Sequence, residues 1–270
     1  MKVHRGVAHF TKRVRQTLVL FRNFPRVFRD LVLSGTRWSP EEMTFRMRNG
    51  FTVVTPNADG ARFPLYEVFA DDGYRLAELF DGVSSDAEIL DIGGQIGSFS
   101  LASARALPQA RVHVYEASPI SAAYIERNIA ANHLEARVTV HPKAVAGEVG
   151  TFTFVDSGTA SGHNGLTAPE GLGEEVTVDC TTFDDAVAAT GGNVQVVKTD
   201  VEGAEYDIIL RSSPSSWRDV RKVVMEYHPV AGHRLEELTT FFASAGINPV
   251  RHEPGMRAGL GVMWLVRSDG

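Results

Sequence analysis

The strongest constraint in this chain lies between residues 88 and 116. A short apolar run, Glu88–Ile92, leads straight into Asp91-Ile-Gly-Gly-Gln-Ile-Gly97, after which residues 97–107 carry a helical pattern. A strand that turns at once into a helix needs glycine, because the backbone bends sharply and a ligand must approach closer than a Cβ would permit. The start of the helix then offers unpaired N–H groups to a carboxylate or a phosphate. The next apolar run, Arg111–Glu116, ends on an acid 19 positions past Gly97. An acid at that offset suits the hydroxyls of a ribose. Together these features predict a pocket for a nucleoside-bearing ligand.

The rest of the chain repeats the same alternation. Helical character is expected over Pro119–Asn132, and strands over Val138–His141, Val194–Asp200 and Val220–Tyr227, the last two each followed by a helical pattern. Strands alternating with helices predict an α/β fold, a doubly wound and mostly parallel sheet with helices on both faces. The closing strands Asn248–His252 and Gly261–Arg267 are joined by a short Pro/Gly loop, which predicts an antiparallel edge. Near the other end, Thr44–Met47 and Phe51–Thr55 flank Asn49-Gly50, a strong hairpin signal. Thr151–Val155 and Glu174–Asp179 read as strands around residues 157–173, a glycine-rich loop of a length that is usually functional or disordered.

Charge divides the chain unevenly. Residues 1–36 hold eight Lys and Arg against Asp30 alone, a net +7 that leaves −13 on the remainder. Val7, Phe10, Val14, Leu18 and Phe21 recur at helical spacing, and Pro25 suits the first turn of a second helix carrying Phe28, Leu31 and Val32. The expected organisation is a helical cap over residues 1–42 packed on a domain spanning 43–270. The acidic remainder opposes binding to nucleic acid. No apolar run approaches the ~20 residues of a membrane span. The one cysteine, Cys180, forms no internal disulfide, and a reducing, cytoplasmic setting is expected. Nothing in the pattern excludes an oligomer.

The glycine spacing narrows the ligand. A dinucleotide fold favours G-x-G-x-x-G, whose second glycine lets the pyrophosphate rest on the backbone. Here the glycines stand at 93, 94 and 97, with Asp91 ahead of them. An acid there suits the ammonium of a methionyl group and would repel a pyrophosphate. S-adenosylmethionine is therefore expected over NAD, which disfavours a nicotinamide-dependent oxidoreductase. The expected contacts are Asp91, Gly93, Gly94, Gln95, Gly97, Glu116, Ala117, Ala144 and Asp200.

Phe45-Arg-Met-Arg-Asn-Gly50, Glu67-Val-Phe-Ala-Asp-Asp-Gly-Tyr74, Tyr115-Glu-Ala-Ser-Pro119, Asn128–Asn132 and Cys180-Thr-Thr-Phe-Asp-Asp185 join the glycine turn in a broader pattern. Its most specific element is Lys198-Thr-Asp-Val-Glu-Gly-Ala-Glu205, followed by Val224-Met-Glu-Tyr-His228. Over roughly residues 44–266 the chain resembles the FkbM family of methyltransferases. Gln95 departs from the family's turn, where Ala followed by Asn is common. The resemblance implies a Rossmann-like, class I methyltransferase sheet of seven strands. It also implies S-adenosylmethionine-dependent O-methylation, often of sugar or natural-product hydroxyls, and so a small hydroxylated acceptor.

Methyl transfer from a sulfonium is an in-line displacement, so the protein mainly aligns nucleophile and methyl group. A hydroxyl acceptor also benefits from a base. Asp200 closes one strand at the expected switch point, and Glu226 and His228 share a face of the next. Asp200, Glu202, Glu226 and His228 are expected to converge, with Asp200 or His228 as base and Glu226 orienting the other. Alternatively Asp200 and Glu226 hold a divalent cation that lowers the acceptor's pKa. Glu205 reads as an acid placed at a helix N-terminus for its dipole. In the glycine-rich loop, His163 is a further candidate base, beside Ser161 and Asn164. The competing reading is a cofactor-binding module without catalysis, which Asp200 and Glu226 pointing away from the pocket would favour.

Overall fold

The computed structural model describes residues 2–58, 60–156, 174–255 and 258–268. Helices α1 (Lys2–Leu20) and α2 (Phe24–Leu33) come first, followed by the hairpin β1 (Glu42–Arg46) and β2 (Thr52–Pro56). Short helices α3 (Phe63–Phe69) and α4 (Leu76–Leu79) lead into the alternating part: β3 (Glu88–Ile92), α5 (Ser98–Ala106), β4 (Arg111–Tyr115), α6 (Pro119–Ala130) and β5 (Val138–His141). The strands β6 (Ala144–Ala146), β7 (Gly150–Asp156) and β8 (Glu174–Thr182) then form a separate small sheet in the order β6-β8-β7. The chain closes with α7 (Phe183–Ala189), β9 (Val194–Thr199), α8 (Glu205–Arg211), β10 (Lys222–Tyr227), α9 (Leu235–Ser244), β11 (Ile247–Pro254) and β12 (Gly261–Arg267).

The main sheet has seven strands in the order β11-β12-β10-β9-β3-β4-β5. From β10 to β5 every pairing is parallel, while β12 runs antiparallel to both β10 and β11. The strand order reverses between β3 and β9, and ligands in such sheets bind outside the carboxyl ends at that point. Both faces are covered. Ile89, Val112, Val114 and Val196 pack towards α5 and α6, and Leu90, Ile92, Val197 and Met225 form the second core with α7, α8 and α9. Burial on both faces explains why β3 and β9 carry adjacent apolar residues, Ile89-Leu90 and Val196-Val197, where a half-exposed strand would alternate.

The hairpin docks through an unusual edge. Asn128 on α6 and Asn132 just past its end each accept a backbone N–H from β2 and return a side-chain N–H to the same residue, Val54 and Thr52 respectively. Two amides thus imitate a neighbouring strand and satisfy an edge that would otherwise expose its backbone. Asn128 also donates to the Ile96 carbonyl at 2.9 Å, tying the hairpin to the glycine turn.

The N-terminal helices pack differently from their apolar stripe. Phe21 is fully buried against Phe45 and Tyr66, but Phe10 is 69% exposed and Leu18 is also exposed. The face that docks is polar: Thr17 hydrogen-bonds the Tyr66 hydroxyl at 2.8 Å, while Lys12, Arg13 and Gln16 converge on Asp71. Helix α2 buries Val27 and an Asp30 paired with Arg29, leaving Val32 79% exposed. The side chain of Val7 lies outside the described residues. No described helix is long and apolar enough to cross a membrane.

Candidate functional site

The turn after β3 is shaped by its protein neighbours. Gly93 and Gly97 both adopt φ of +83°, a conformation costly for other residues. A Cβ on Gly93 would stand 1.8 Å from the Asp200 carbonyl oxygen, and one on Gly94 would stand 2.2 Å from Val114. The first two glycines therefore let the turn lie against the end of β9 and against β4. This differs from the expected reason, ligand approach, because the space a Cβ would fill already belongs to the protein.

The turn and the acid at the end of β4 form one unit. Gln95, at φ +52°, donates its backbone N–H to Glu116 Oε2 at 2.7 Å, and Ser118 N–H donates to Oε1 at 2.8 Å. Burial outweighs these bonds and pushes the Glu116 carboxyl up to about 7. Each oxygen has one backbone donor, and a carboxylate oxygen can accept more.

A cavity of about 290 Å³ opens here, at the carboxyl ends of the central strands. Of the expected cofactor contacts, Gly93, Gln95, Glu116, Ala117, Ala144 and Asp200 line it, while Asp91, Gly94 and Gly97 do not. Phe152 and Phe154 of β7 add apolar lining, and Tyr206, Val230 and His233 line it as well. Among the described residues, none of the N-terminal helices borders it.

Asp91 lies beneath the turn, 0% exposed, accepting from Ser100 Oγ at 2.6 Å and standing 3.3 Å from Lys198 Nζ. Burial raises the Asp91 carboxyl, opposed by the Lys198 charge. Burial would lower Lys198 in turn, but the charges of Asp91 and Asp200 hold it above its ordinary value. Lys198 also donates to the Gly93 carbonyl, so one buried ammonium joins β9 to the glycine turn.

Next to Asp200 lies a cluster of acids around one imidazole. The register pairs Val224 with Lys198, which sets Glu226 beside Asp200 on the same face. His228 presents Nε2 to Glu202 at 3.3 Å and to Glu226 at 3.8 Å, while Nδ1 meets Glu205 Oε1 at 2.8 Å. Burial and the Asp200 charge push Glu226 up to about 8, and push Glu202 up to about 7. Burial disfavours the imidazolium, yet the Glu205 hydrogen bond and the charges of Glu205, Glu202 and Asp200 outweigh it and raise His228 to about 9. From α3, Glu67 joins the cluster, pushed up to about 7 by burial and by Asp200. Asp200, Glu226 and His228 offer donor atoms within 4.8 Å of one another. Glu226 and His228 do not line the cavity, which the cluster meets through Asp200 and Glu202. His163, Ser161 and Asn164 lie outside the described residues.

The model of the methyltransferase FkbM domain matches residues 91–247, more than half of the chain. The chain belongs to the FkbM methyltransferase family. It is 28% identical over 248 residues to the 31-O-demethyl-FK506 methyltransferase FkbM of Streptomyces tacrolimicus, covering 80% of this chain and 93% of that protein. It is also 28% identical over 204 residues to methyltransferase sdnD of Sordaria araneosa, covering 64% and 77% respectively. Among solved structures it resembles M. jannaschii TYW2 in complex with AdoMet at a TM-score of 0.43 and 11% identity, over 85% of this chain and 88% of that one.

The FkbM match runs from Asp91 of β3 to Ile247 of β11, and so contains the glycine turn, Glu116, Asp200 and the His228 cluster. Glu67 stands before it, on α3. Three residues of this site escaped sequence reasoning as participants. Lys198 precedes Asp200 by two positions on one strand, and that alternation was a usable signal. Glu67 carried no positional signal beyond the motif around it. Glu205, expected to serve the helix dipole, is instead the nearest partner of His228, a position expected of Glu226.

Proposed function

We propose that this methyltransferase uses S-adenosylmethionine to methylate a hydroxyl of a small, natural-product type acceptor. The observation that carries the reading is one cavity lined by both Glu116 and Asp200. Glu116 keeps acceptor capacity for two ribose hydroxyls, and Ala117, Ala144 and Phe154 supply an apolar slot for a purine. S-adenosylmethionine supplies an activated methyl group on a cationic sulfur. Asp91 acts on this ligand indirectly, by holding Lys198 and through it the Gly93 carbonyl.

The chemistry asked of the chain is alignment and proton acceptance. Asp200 borders the cavity and takes the acceptor's hydroxyl proton as the O–CH₃ bond forms and the S–CH₃ bond breaks, the sulfonium leaving as a neutral thioether. His228 is an imidazolium at neutral pH, so it serves as a charge partner for Asp200 and the neighbouring acids and not as the resting base. A second reading places a divalent cation between Asp200, Glu226 and His228; the convergence of their donor atoms favours it. Titration calorimetry with S-adenosylmethionine, S-adenosylhomocysteine and NAD tests the cofactor assignment. Methyl transfer from labelled cofactor to a panel of hydroxylated metabolites, with and without chelator, tests the rest.

A further inference from the structure

Glu205 is placed where an acid needs no burial. It opens α8, and a solvated carboxylate would serve the helix dipole equally well. Instead it is 0% exposed. Removing a carboxylate from water is costly unless bonds compensate, so its contacts identify its task. Oε1 receives the backbone N–H of Val201 at 3.4 Å and of Gly203 at 3.3 Å, and the Nδ1–H of His228 at 2.8 Å. Among the described residues Oε2 has no hydrogen-bond partner.

The two backbone donors belong to a turn that resists its own conformation. Glu202 holds φ +53° and Gly203 holds φ +110°, a region that is unfavourable for a non-glycine residue. The turn carries Asp200 and Glu202 to the cavity wall. His228 comes from a different element, the segment after β10. A single carboxylate oxygen therefore ties together the ends of two neighbouring strands. With Nδ1 engaged, the imidazole has one orientation, and its Nε2 points at Glu202 and Glu226. A histidine whose second nitrogen is held by a carboxylate has its ring plane and tautomer fixed.

We propose that Glu205 is a positioning residue of the transfer site, which fixes the His228 ring and the Asp200–Gly203 turn in one geometry through its Oε1. This rests on the reading that the acceptor is methylated beside Asp200. Glu205 touches neither cavity nor ligand and acts only through His228 and the turn.

The test uses the full chain labelled with ¹⁵N-histidine, in which the ring N–H of His228 reports its own hydrogen bond. Glu205→Gln is nearly isosteric and still accepts, but a neutral acceptor bonds more weakly than a carboxylate. The His228 Nδ1–H proton resonance is expected well downfield in the wild type and shifted upfield in Glu205→Gln. In Glu205→Leu it is expected to vanish into exchange with water. Should Glu205→Leu fail to fold, Glu205→Gln alone decides. A resonance unchanged in Glu205→Gln overturns the proposal, as does one that persists in a folded Glu205→Leu. Adding S-adenosylmethionine to the wild type is expected to move the same resonance, because a cation then lies near Asp200. No response to the cofactor would count against the functional reading, whereas the comparison of variants without cofactor addresses Glu205 alone.

Discussion

Gln95 donates its backbone N–H to the Glu116 carboxylate at 2.7 Å, which joins the glycine turn after β3 to the acid that ends β4. The carboxylate is oriented from the protein side by two backbone donors, and Glu116 lines the cavity. Glu116→Ala should weaken S-adenosylmethionine binding by about 1.5–3 kcal/mol, the range for hydrogen bonds to a charged group. That corresponds to roughly a 10- to 150-fold rise in Kd by calorimetry. A Kd within twofold of wild type would remove Glu116 from the ligand site.

Gly93→Ala should damage folding as well as binding. Its Cβ would lie 1.8 Å from the Asp200 carbonyl oxygen in a backbone held at φ +83°. The left-handed conformation alone costs about 1–2 kcal/mol, and the clash adds displacement of the end of β9. Thermal unfolding should show a clear loss of stability without any ligand. Were the variant as stable as wild type but unable to bind, the glycine would be serving the ligand after all.

Asp200→Asn keeps the shape of the cavity wall and removes the charge. Cofactor affinity should remain within a few-fold, while methyl transfer to any acceptor used by the wild type should fall by ~10²-fold or more, the scale for losing a positioned base. Chelator should leave wild-type turnover unchanged. Activity lost to chelator and restored by a divalent ion would favour the cation reading at Asp200, Glu226 and His228. Normal turnover by Asp200→Asn would move the chemistry elsewhere.

Much of the fold was legible because buried parallel strands are short apolar runs and their helices start and stop at Pro and Gly. Glu88–Ile92, Val138–His141 and Gly261–Arg267 match the expected strands residue for residue. The three-residue β6 and the short α3 and α4 are too brief to show a period. The N-terminal stripe was misleading in detail: α1 docks through Thr17 and Phe21 with Arg13 and Gln16 at the rim, so Phe10 and Leu18 face outward. In the site, Asp200, Glu202, Glu226 and His228 could be grouped from strand ends and alternation. Glu205 could not, because its partner His228 lies 23 positions away and only the folded turn brings them together.

Stability should fall as pH rises through the neutral range. Folded pKa values raised to about 7 in Glu67 and Glu202, to about 8 in Glu226 and to about 9 in His228 mean that the native state holds protons the unfolded chain releases. For Glu226 that contribution is complete below its ordinary value of 4.5 and lost by about 8; for His228 it is complete below 6.5 and lost by about 9. His113 and His141, whose values are lowered, act in the opposite sense below 6.5, so the clean window lies above it. Tm without ligand should decline from pH 6.5 to 9, and Glu226→Gln should flatten the part up to about 8. A Tm that climbs across this window would contradict the proton assignments.

Phe21 links the N-terminal helices to the rest of the molecule, fully buried between Phe45 and Tyr66. Phe21→Ala should cost about 3–5 kcal/mol, as for other buried Phe truncations, whereas Phe10→Ala at an exposed position should change stability by less than about 0.5 kcal/mol. Chemical denaturation of the two variants gives the comparison. Equal effects would mean that α1 does not dock through Phe21.

The central claim is that the cavity lined by Glu116 and Asp200 receives S-adenosylmethionine. Isothermal titration of the full chain with S-adenosylmethionine and, separately, with NAD tests it most directly. Saturable one-to-one binding of S-adenosylmethionine, weakened in Glu116→Ala and without measurable heat from NAD, is the predicted result. Binding of NAD with none of S-adenosylmethionine would contradict it.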